Sequence, residues 1–450
     1  MLNWTRTPTA KVIGIGFLAL FMLIPLMQVR GLIAERQQLR EATVARIAEG
    51  WGGRQVVGGL ILHIPTQRLV DRGNGQAPEP QLGSETVLAE QLQVDAQLSV
   101  HTRRYGMYAA PLYAATLHLS GQFLPEDIAQ YRRLSTAPWQ GSKAELQLLL
   151  TDLHGLQDVS ELRINGKPMR FHSSATQVAG LSAITLPVDL DEYDGKPIAF
   201  DVQLSVAGTE SLQLLPLART TDVRIRAPWP DPSFVGAVLP LERTVNAQGF
   251  NAHWHTLDLN RSYGQWWSDG DSAVESALGA SSFGVELYQP VDVYQRNERA
   301  GKYGLLFIAM TFVAFFLVEV LRKLRVHPVQ YLLVGAAMAT FYVLLLALSE
   351  QIGFELAYLV AATAVVLIVA GYAAAVLRAR RAGLLLGGIL ALVYAVLYGL
   401  IATEQYALLI GAFILFATVT LLMYLTRRID WYDDASASPP PAQAVTMERP

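Results

Sequence analysis

Two histidines stand two positions apart in an alternating stretch of the chain, His253 and His255 with Trp254 between them. On a β-strand the side chains repeat every second residue, so both imidazoles would lie on one face. Two imidazoles can begin a zinc site, but zinc needs a third and usually a fourth ligand, and the sequence offers no obvious one. We therefore favour surface or interface histidines on a strand, and we predict no metal ion and no other cofactor.

Glu319 is the one carboxylate well inside a long apolar segment of the sequence. An acidic residue within a membrane is a candidate for a functional site such as a proton relay. Arg322 and Lys323 follow three and four residues later, on the same face if the segment is helical. We therefore favour an ion pair whose long side chains reach the membrane surface over a proton relay.

Signatures of several enzyme classes are missing from the sequence. It contains no phosphate-binding G-x-x-x-x-G-K-[ST], no H-E-x-x-H and no G-x-S-x-G. Cysteine is absent, which excludes a thiolate nucleophile and any disulfide. The formal net charge of −3 also argues against nucleic-acid binding, which usually leaves a basic footprint. We expect that this protein is not an enzyme.

The elements that must position these residues begin with five apolar segments in the C-terminal third of the chain. Each is nearly free of charge and about 20 residues long, the length that a helix needs to cross a bilayer. Buried helices of a soluble protein would need amphipathic neighbours, which this region lacks. We predict a membrane protein with a C-terminal bundle of five transmembrane helices at residues 303–321, 331–348, 354–377, 383–402 and 406–426.

The charge of the short connections between these segments alternates. Basic residues follow the first, third and fifth segments, whereas the other two connections carry acidic residues and no basic ones. Because basic short loops stay on the cytoplasmic side, the chain would enter the first segment from outside and end inside. The basic residues are Arg322, Lys323, Arg325, Arg378, Arg380, Arg381, Arg427 and Arg428.

A further apolar run, residues 12–29, follows a short basic lead at the N-terminus. A cleaved signal peptide would have a shorter core with a small-residue cleavage site close behind it. We see no convincing site, so we favour an uncleaved N-terminal transmembrane helix over residues 1–30, kinked at Pro25. With the bundle at 303–428, this predicts six crossings and both termini in the cytoplasm.

Residues 31–302 are predicted to form a large periplasmic domain. A helical pattern up to Glu49, followed by glycines, indicates a stalk helix. From there the apolar residues alternate at period two, which predicts a β-rich, sandwich-like domain of antiparallel strands. Asn165-Gly166 and Asp194-Gly195 indicate two tight hairpins, and residues 125–133 indicate a short helix.

Other stretches of the sequence leave alternatives open or predict irregular structure. Residues 68–83 are rich in Gly, Pro and Gln and predict a loop. Trp266 and Trp267 either anchor at the membrane interface or belong to the domain core, and the sequence favours neither. The low-complexity tail at 429–450 predicts a disordered cytoplasmic segment.

Small residues at helical spacing predict close packing between membrane helices. They are Gly335 with its neighbouring alanines, and the pair Gly371 and Ala375. In the first cytoplasmic loop, His327 precedes Pro328. We favour a simple helix start at this proline over a contact with a partner or a lipid headgroup.

Several motifs along the chain share features with one protein family. They are Trp229-Pro230-Asp231-Pro232-Ser233-Phe234, Gly249-Phe250 with Ala252 and Trp254, Gln289-Pro290-Val291-Asp292, His327-Pro328-Val329-Gln330-Tyr331, Ser349-Glu350-Gln351-Ile352-Gly353-Phe354 and Arg427-Arg428-Ile429-Asp430-Trp431-Tyr432. In these motifs the chain resembles the CreD family of bacterial inner-membrane proteins.

The resemblance implies an inner-membrane protein of a Gram-negative bacterium with one N-terminal crossing, a large periplasmic domain and a C-terminal bundle. It also implies a link to cell-envelope integrity and to a stress- or β-lactam-responsive two-component regulon. It supplies no catalytic residues. Asp231 and Gln351 stand where the family often has histidine, which argues against a histidine-based metal or proton-transfer role at either position.

We expect the protein to support cell-envelope integrity under stress, by periplasmic binding or scaffolding rather than by catalysis. The alternative is that the bundle flips or transports a lipid or envelope precursor, with loop arginines holding phosphate headgroups. A third hypothesis, a membrane-embedded hydrolase, depends on His253, His255 and Glu350.

The expected partners are the lipid bilayer and a periplasmic protein or an envelope glycan or lipid, with no nucleic acid. The candidate functional residues are Arg322, Arg325, His327, Gln330, Glu350, Trp229 and Ser233.

Overall fold

The structure, a computed structural model, describes residues 8–70, 79–106, 108–287, 293–321, 326–376, 379–403 and 407–427. It divides into two compact units. The membrane unit comprises Met1–Leu39 and Val291–Pro450, and the β unit comprises Arg40–Pro290. The predicted tail at 429–450 lies outside the described residues, as do Arg322, Lys323, Arg325, Arg378 and Arg428.

The described residues form long helices in the membrane unit and two short ones in the β unit. They are α1 (Pro8–Phe21), α2 (Leu23–Glu49), α3 (Pro125–Leu134), α4 (Ser272–Ala280), α5 (Val293–Leu321), α6 (Pro328–Ile352), α7 (Phe354–Val376), α8 (Arg380–Ala402) and α9 (Ala407–Thr426). The helix predicted up to Glu49 is confirmed, and so is the short helix α3. The stalk role of the helix that ends at Glu49 remains a prediction.

Five helical stretches of the described residues are long and apolar enough to cross a membrane. They are Lys11–Glu49, Val293–Val320, Pro328–Ile352, Phe354–Val376 and Arg380–Ala402. The predicted N-terminal apolar helix and four long C-terminal helices are therefore confirmed. Helix α9 contributes a shorter apolar stretch, Leu409–Leu421, so the fifth C-terminal crossing remains a prediction.

The N-terminal helix is interrupted at Met22, between α1 and α2. Pro25 has no N–H to donate to the carbonyl of Phe21, four residues earlier, and its ring crowds that carbonyl. This explains the interruption one turn before the proline and agrees with the predicted kink.

Close packing of the membrane helices depends on glycines at two interfaces. A Cβ at Gly335 would lie 2.8 Å from the sulfur of Met22, so the predicted close approach at Gly335 is confirmed. Nothing lies within 4 Å of a Cβ at Gly371, so the predicted contact there is wrong. The close α7–α8 contact instead joins Ala370 to Gly387, because the packed face of α7 is displaced by one residue from the predicted one.

The β unit contains a network of paired strands. In the described residues they are β1 (Gln55–Val70), β2 (Glu79–Tyr105), β3 (Tyr108–Phe123), β4 (Ala144–Leu150), β5 (Leu156–Ile164), β6 (Lys167–Pro168), β7 (His172–Val178), β8 (Leu181–Val188), β9 (Ile198–Thr209), β10 (Ser211–Leu214), β11 (Ala218–Ala227), β12 (Pro232–Gly236), β13 (Glu242–Asn246), β14 (Gly249–Leu257), β15 (Trp266–Ser268) and β16 (Phe283–Leu287).

Strand β2 belongs to two parts of this network. Its first half pairs with β1 and β15, and its second half pairs with β3 and β11. Buried leucines from both parts, such as Leu62 of β1 and Leu92 of β2, share one hydrophobic core. The predicted large antiparallel domain is confirmed, with two exceptions: β1 pairs with β10, and β2 with β11, in parallel.

The turn predictions had mixed outcomes. Asn165 and Gly166 connect β5 to β6 with φ of 48° and 77°, so this hairpin is confirmed. The hairpin at Asp194-Gly195 is wrong, because the strands on either side do not pair with each other: β8 pairs with β4 and β7, whereas β9 pairs with β3 and β5. The loop predicted at 68–83 is shorter than expected, since β1 reaches Val70 and pairs there with Glu79 of β2.

The two tryptophans near the end of the β unit belong to its packed interior. Trp267 is 8% exposed, and the indole of Trp266 donates a 2.8 Å hydrogen bond to Glu85. Glu85 is itself buried and also accepts bonds from Ser135 and Trp139, each 2.7 Å long. The domain-core interpretation of Trp266 and Trp267 is therefore the correct one.

Candidate functional site

One side of a five-strand stretch of the β unit is an extended polar surface. Strands β14, β11, β2, β3 and β9 pair side by side in that order. Every second side chain faces the core and the others face outward, as period-two alternation requires. We call the outward side chains the polar face: Asn251, His253, His255, Asp222, Arg224, Arg226, Gln93, Asp95, Gln97, Thr116, His118, Ser120, Asp201, Gln203 and Ser205.

The two histidines of the sequence pattern meet a carboxylate on the neighbouring strand. One oxygen of Asp222 lies 2.9 Å from Nδ1 of His255 and 3.3 Å from Nε2 of His253. Burial alone would raise the pKa of Asp222, but the hydrogen bonds from both imidazoles outweigh it and lower that pKa below its usual value. The sequence had identified the two histidines but not their partner.

Both imidazoles bond to the Asp222 carboxylate, and the three side chains do not surround a position for a metal ion. Among the residues that the structure describes, no group of three or more His, Asp or Glu side chains is placed to hold a metal ion.

Two further carboxylates on the polar face are each bonded to a side chain of the neighbouring strand, one to a histidine and one to an arginine. Nε2 of His118 lies 3.0 Å from the carboxylate of Asp201 on β9. The guanidinium of Arg226 donates a hydrogen bond to Asp95 on β2. Both pairs run diagonally between strands that are direct neighbours, a spacing that long side chains can span.

Arg224 lies between these pairs, on the central part of β11. It lines a depression of about 460 Å³ that is open to solvent, together with Gln93, His118 and Ser120. Its backbone neighbours across the two adjacent strands are His253 and Asp95. The alternation in Asp222-Val223-Arg224-Ile225-Arg226 could have revealed this outward arginine, but the sequence analysis did not single it out.

In the membrane unit, Glu319 of α5 is a buried acid with three donors. Its side chain is 3% exposed and forms an ion pair with Lys11 of α1. It also accepts 2.7 Å hydrogen bonds from the hydroxyl of Tyr331 and from the backbone N–H of Val326. The N-terminal helix thus supplies a cation for Glu319 that the local sequence could not indicate. The pairing predicted with Arg322 and Lys323 remains a prediction, because both lie outside the described residues.

A second polar cluster joins α5 to α6 and includes the candidate Glu350. The hydroxyl of Tyr294 donates a 3.0 Å hydrogen bond to Glu350. Nearby, the amide of Asn297 donates to the hydroxyl of Ser349 at 2.9 Å, and both of these side chains are buried. The candidate Glu350 is thus part of a helix-to-helix contact.

The candidates His327 and Gln330 together cap the start of α6. Nδ1 of His327 accepts from the backbone N–H of Val329 at 3.3 Å, and Oε1 of Gln330 accepts from the N–H of His327 at 2.9 Å. Helix α6 begins at Pro328, as predicted. This reciprocal capping satisfies donors that a helix start leaves open. The candidates Arg322 and Arg325 lie outside the described residues.

The sequence of this chain is similar to those of known inner-membrane proteins. The family model described as "Inner membrane protein CreD" matches residues 7–432. The chain belongs to the CreD family. A curated relative, "Inner membrane protein CreD" of Escherichia coli (strain K12), is 31% identical over 415 residues, which cover 92% of this chain and 91% of the relative. This CreD-family chain is an inner-membrane protein with several membrane-spanning helices.

The last two candidates lie in the connection from β11 into β12, within one of the motifs that resemble the CreD family. Trp229 is half-buried against the hydrophobic core, and its indole donates to the backbone oxygen of Asp231 at 3.2 Å. Ser233 lies in β12 opposite Glu286 of β16. Neither side chain belongs to the polar face.

Proposed function

We propose that this CreD-family chain is a non-catalytic binding protein that supports the cell envelope from the inner membrane. Its helices anchor it in the bilayer, and its β unit binds a polar envelope component, a glycan or a protein, through the polar face. The observation that carries this proposal is the polar face itself. It presents charged and amide side chains on five rigid, hydrogen-bonded strands whose other side is the hydrophobic core.

A periplasmic position of the β unit follows from the charge of the membrane connections. Basic residues such as Arg380, Arg381 and Arg427 follow every second apolar segment, which favours six crossings with both termini in the cytoplasm. Because the chain has no cysteine, an introduced one is its only thiol. In spheroplasts, a membrane-impermeant maleimide should label Gln203→Cys but not Ser436→Cys. The reverse pattern would overturn this topology.

A binding role is supported by how the possible catalytic groups of the polar face are arranged. His118 and Asp201 form a pair of the kind that activates a serine nucleophile, and Ser120 is the nearby hydroxyl. However, the contact that would activate Ser120, a hydrogen bond to His118, is absent from the described residues. The hydrolase hypothesis from His253, His255 and Glu350 also gains no support, because Glu350 belongs to the membrane unit and is bound by Tyr294.

The alternative function, lipid or precursor transport by the bundle, remains a prediction without structural support. It depends on Arg322, Arg325 and Arg378, which lie outside the described residues. Some of the buried polar side chains in the membrane unit are engaged with one another, as Glu319 with Lys11 illustrates.

Site-specific photo-crosslinking in living cells tests the binding proposal. A photoreactive phenylalanine analogue replaces Thr116 or Gln203 on the polar face of the full-length chain. The matched control carries the analogue at Gln177, an exposed residue of strand β7 outside the polar face. We expect discrete covalent adducts from positions 116 and 203 under envelope stress and none from position 177. Equal adducts at all three positions, or none at any, would contradict the proposal.

A further inference from the structure

Arg224 is an exposed cation that has no bonding partner among the residues that the structure describes. Every other outward charged side chain on β11, β2, β3 and β9 in the polar face forms a hydrogen bond or ion pair. Arg224 forms none with any residue that the structure describes, although it lies in the middle of the surface. An arginine can be left in this state by solvent alone, so the arrangement of its neighbours decides whether a ligand is expected.

The carboxylates nearest to Arg224 are already engaged by other groups. Asp95, its direct neighbour on β2, accepts from Arg226 instead. Asp222, two residues earlier on β11, is shared by His253 and His255. Both acids are therefore bonded to other groups, and none of the five N–H donors of Arg224 bonds to a described residue.

The depression beside Arg224 has room for a small polar group and supplies further hydrogen-bonding groups. Its volume is about 460 Å³. Its lining includes the carboxylates of Asp95 and Asp222, each of which is bonded to other side chains. It also includes the amide of Gln93 and the hydroxyl of Ser120. Both can donate hydrogen bonds, and both lie on strands fixed by pairing on either side. A planar guanidinium with neighbouring neutral donors matches the oxygens of a carboxylate or phosphate, which arginine binds in a bidentate manner.

We propose that this depression is an oxyanion-binding site in which Arg224 binds a phosphate or carboxylate group of an envelope ligand. Gln93 and Ser120 donate to its remaining oxygens. The proposal rests on the function proposed above and names the ligand chemistry of the same surface. The shared chemistry is an oxyanion on a polar ligand, and a phosphate-bearing glycan or lipid and a carboxylate-bearing glycan or peptide are its two sources.

Binding of inorganic phosphate tests the site directly. The full chain is placed in nanodiscs of a zwitterionic lipid, and line broadening of the phosphate ³¹P signal is followed against empty nanodiscs at constant ionic strength. We expect saturable binding with a dissociation constant on the order of 1 mM, about −4 kcal/mol. Arg224→Gln should weaken it at least about tenfold, the effect of losing one charge-assisted pair of hydrogen bonds. Acetate added as a competitor distinguishes the sources, since displacement of phosphate by equimolar acetate assigns a carboxylate ligand and no displacement assigns a phosphate ligand.

Arg226 provides a sharper test, because the proposal makes an unusual prediction for it. Arg226→Gln releases Asp95 to pair with Arg224, so it should also weaken phosphate binding, by several-fold. The double variant Arg226→Gln/Asp95→Asn should restore binding to within about twofold of the wild type. The matched control is Arg163→Gln on β5, an exposed arginine paired with Glu161, which should change binding less than twofold.

Equal losses for Arg224→Gln and Arg163→Gln would show a general charge effect and overturn the site. So would a failure of Asp95→Asn to restore binding in the Arg226→Gln background. Phosphate binding without crosslinked adducts from positions 116 and 203 would leave the site standing and contradict the proposed function. Adducts that persist in Arg224→Gln, together with no phosphate binding, would overturn the oxyanion-binding site and leave the proposed function standing.

Discussion

The ion pair between Lys11 and Glu319 makes a quantitative prediction about how the N-terminal helix is held. Glu319 is 3% exposed and Lys11 is 31% exposed. Removing one partner of a buried pair costs about 3–5 kcal/mol, because the other charge stays buried and uncompensated. Lys11→Met should cost about 3 kcal/mol, the lower end of that range, because part of the lysine already meets solvent.

Glu319→Gln should cost less than Lys11→Met. The amide keeps an oxygen that can accept from Tyr331 or Val326, and the unpaired lysine can turn toward water. A loss of about 1–2 kcal/mol is expected, the size of a hydrogen bond to a charged group. The double variant should cost less than the sum of the two single losses by about 1–3 kcal/mol, because the pair is counted only once.

The assay is unfolding in mixed micelles by titration with SDS, with the apparent free energy of unfolding measured for all four combinations. The control is another Glu–Lys pair on α5, Glu298 with Lys302, whose side chains are 46% and 59% exposed. Lys302→Met should cost less than about 0.5 kcal/mol, as for an exposed pair. Strictly additive losses for Lys11→Met and Glu319→Gln would refute a direct buried pair.

Three other perturbations test the packing and electrostatics of the two units. Glu85→Leu should lower the unfolding free energy of the β unit by about 2–4 kcal/mol, because two indoles and one hydroxyl lose their acceptor. Denaturant unfolding followed by tryptophan fluorescence measures this loss, and a loss below about 0.5 kcal/mol would contradict the prediction. Gly387→Leu should destabilise the membrane unit by about 1–3 kcal/mol in the SDS assay, since its Cβ would lie 2.8 Å from that of a neighbouring helix, whereas Gly388→Leu, with nothing within 4 Å, should cost far less. Burial alone would raise the pKa of Asp269, but hydrogen bonds from His63 and two hydroxyls outweigh it and lower that pKa. A carboxyl pKa that is lowered on folding stabilises the fold above the unfolded value near 4, and this stabilisation is lost as pH falls through the folded value. Asp269→Asn should therefore flatten the acid limb of a stability–pH profile below about pH 4. An unchanged acid limb would refute this assignment.

The elements themselves were largely predictable from local patterns in the sequence. Uncharged segments of sufficient length gave four C-terminal membrane helices, and strict alternation such as that of Leu92 and Val94 identified half-buried strands. Both signals arise within a single element, where the periodicity alone determines which side is buried. The helix start at Pro328 was predictable for the same reason, because proline fits the first turn of a helix.

Features that depend on which elements meet could not be predicted. Nothing near Glu319 in the sequence indicates that Lys11, far away at the N-terminus, is its partner. Similarly, the choice between Gly371 and Ala370 as the packed face of α7 depends on its neighbouring helix. The parallel pairing of β2 with β11 leaves no trace in the alternation of either strand. The same holds for the candidate site, because Arg224 stands out only once the bonds of its neighbours Asp95 and Asp222 are known.

The position of β2 across both parts of the strand network has a consequence for how the β unit reaches its native state. Its neighbours β1 and β3 are adjacent in sequence, but β11 and β15 are synthesised much later. Until Ala218–Ala227 has been synthesised, the second half of β2 presents an unsatisfied edge. Long-range pairing of this kind slows folding and prolongs exposure to aggregation. The time between the synthesis of β2 and the docking of β11 is therefore when the β unit most needs protection by chaperones.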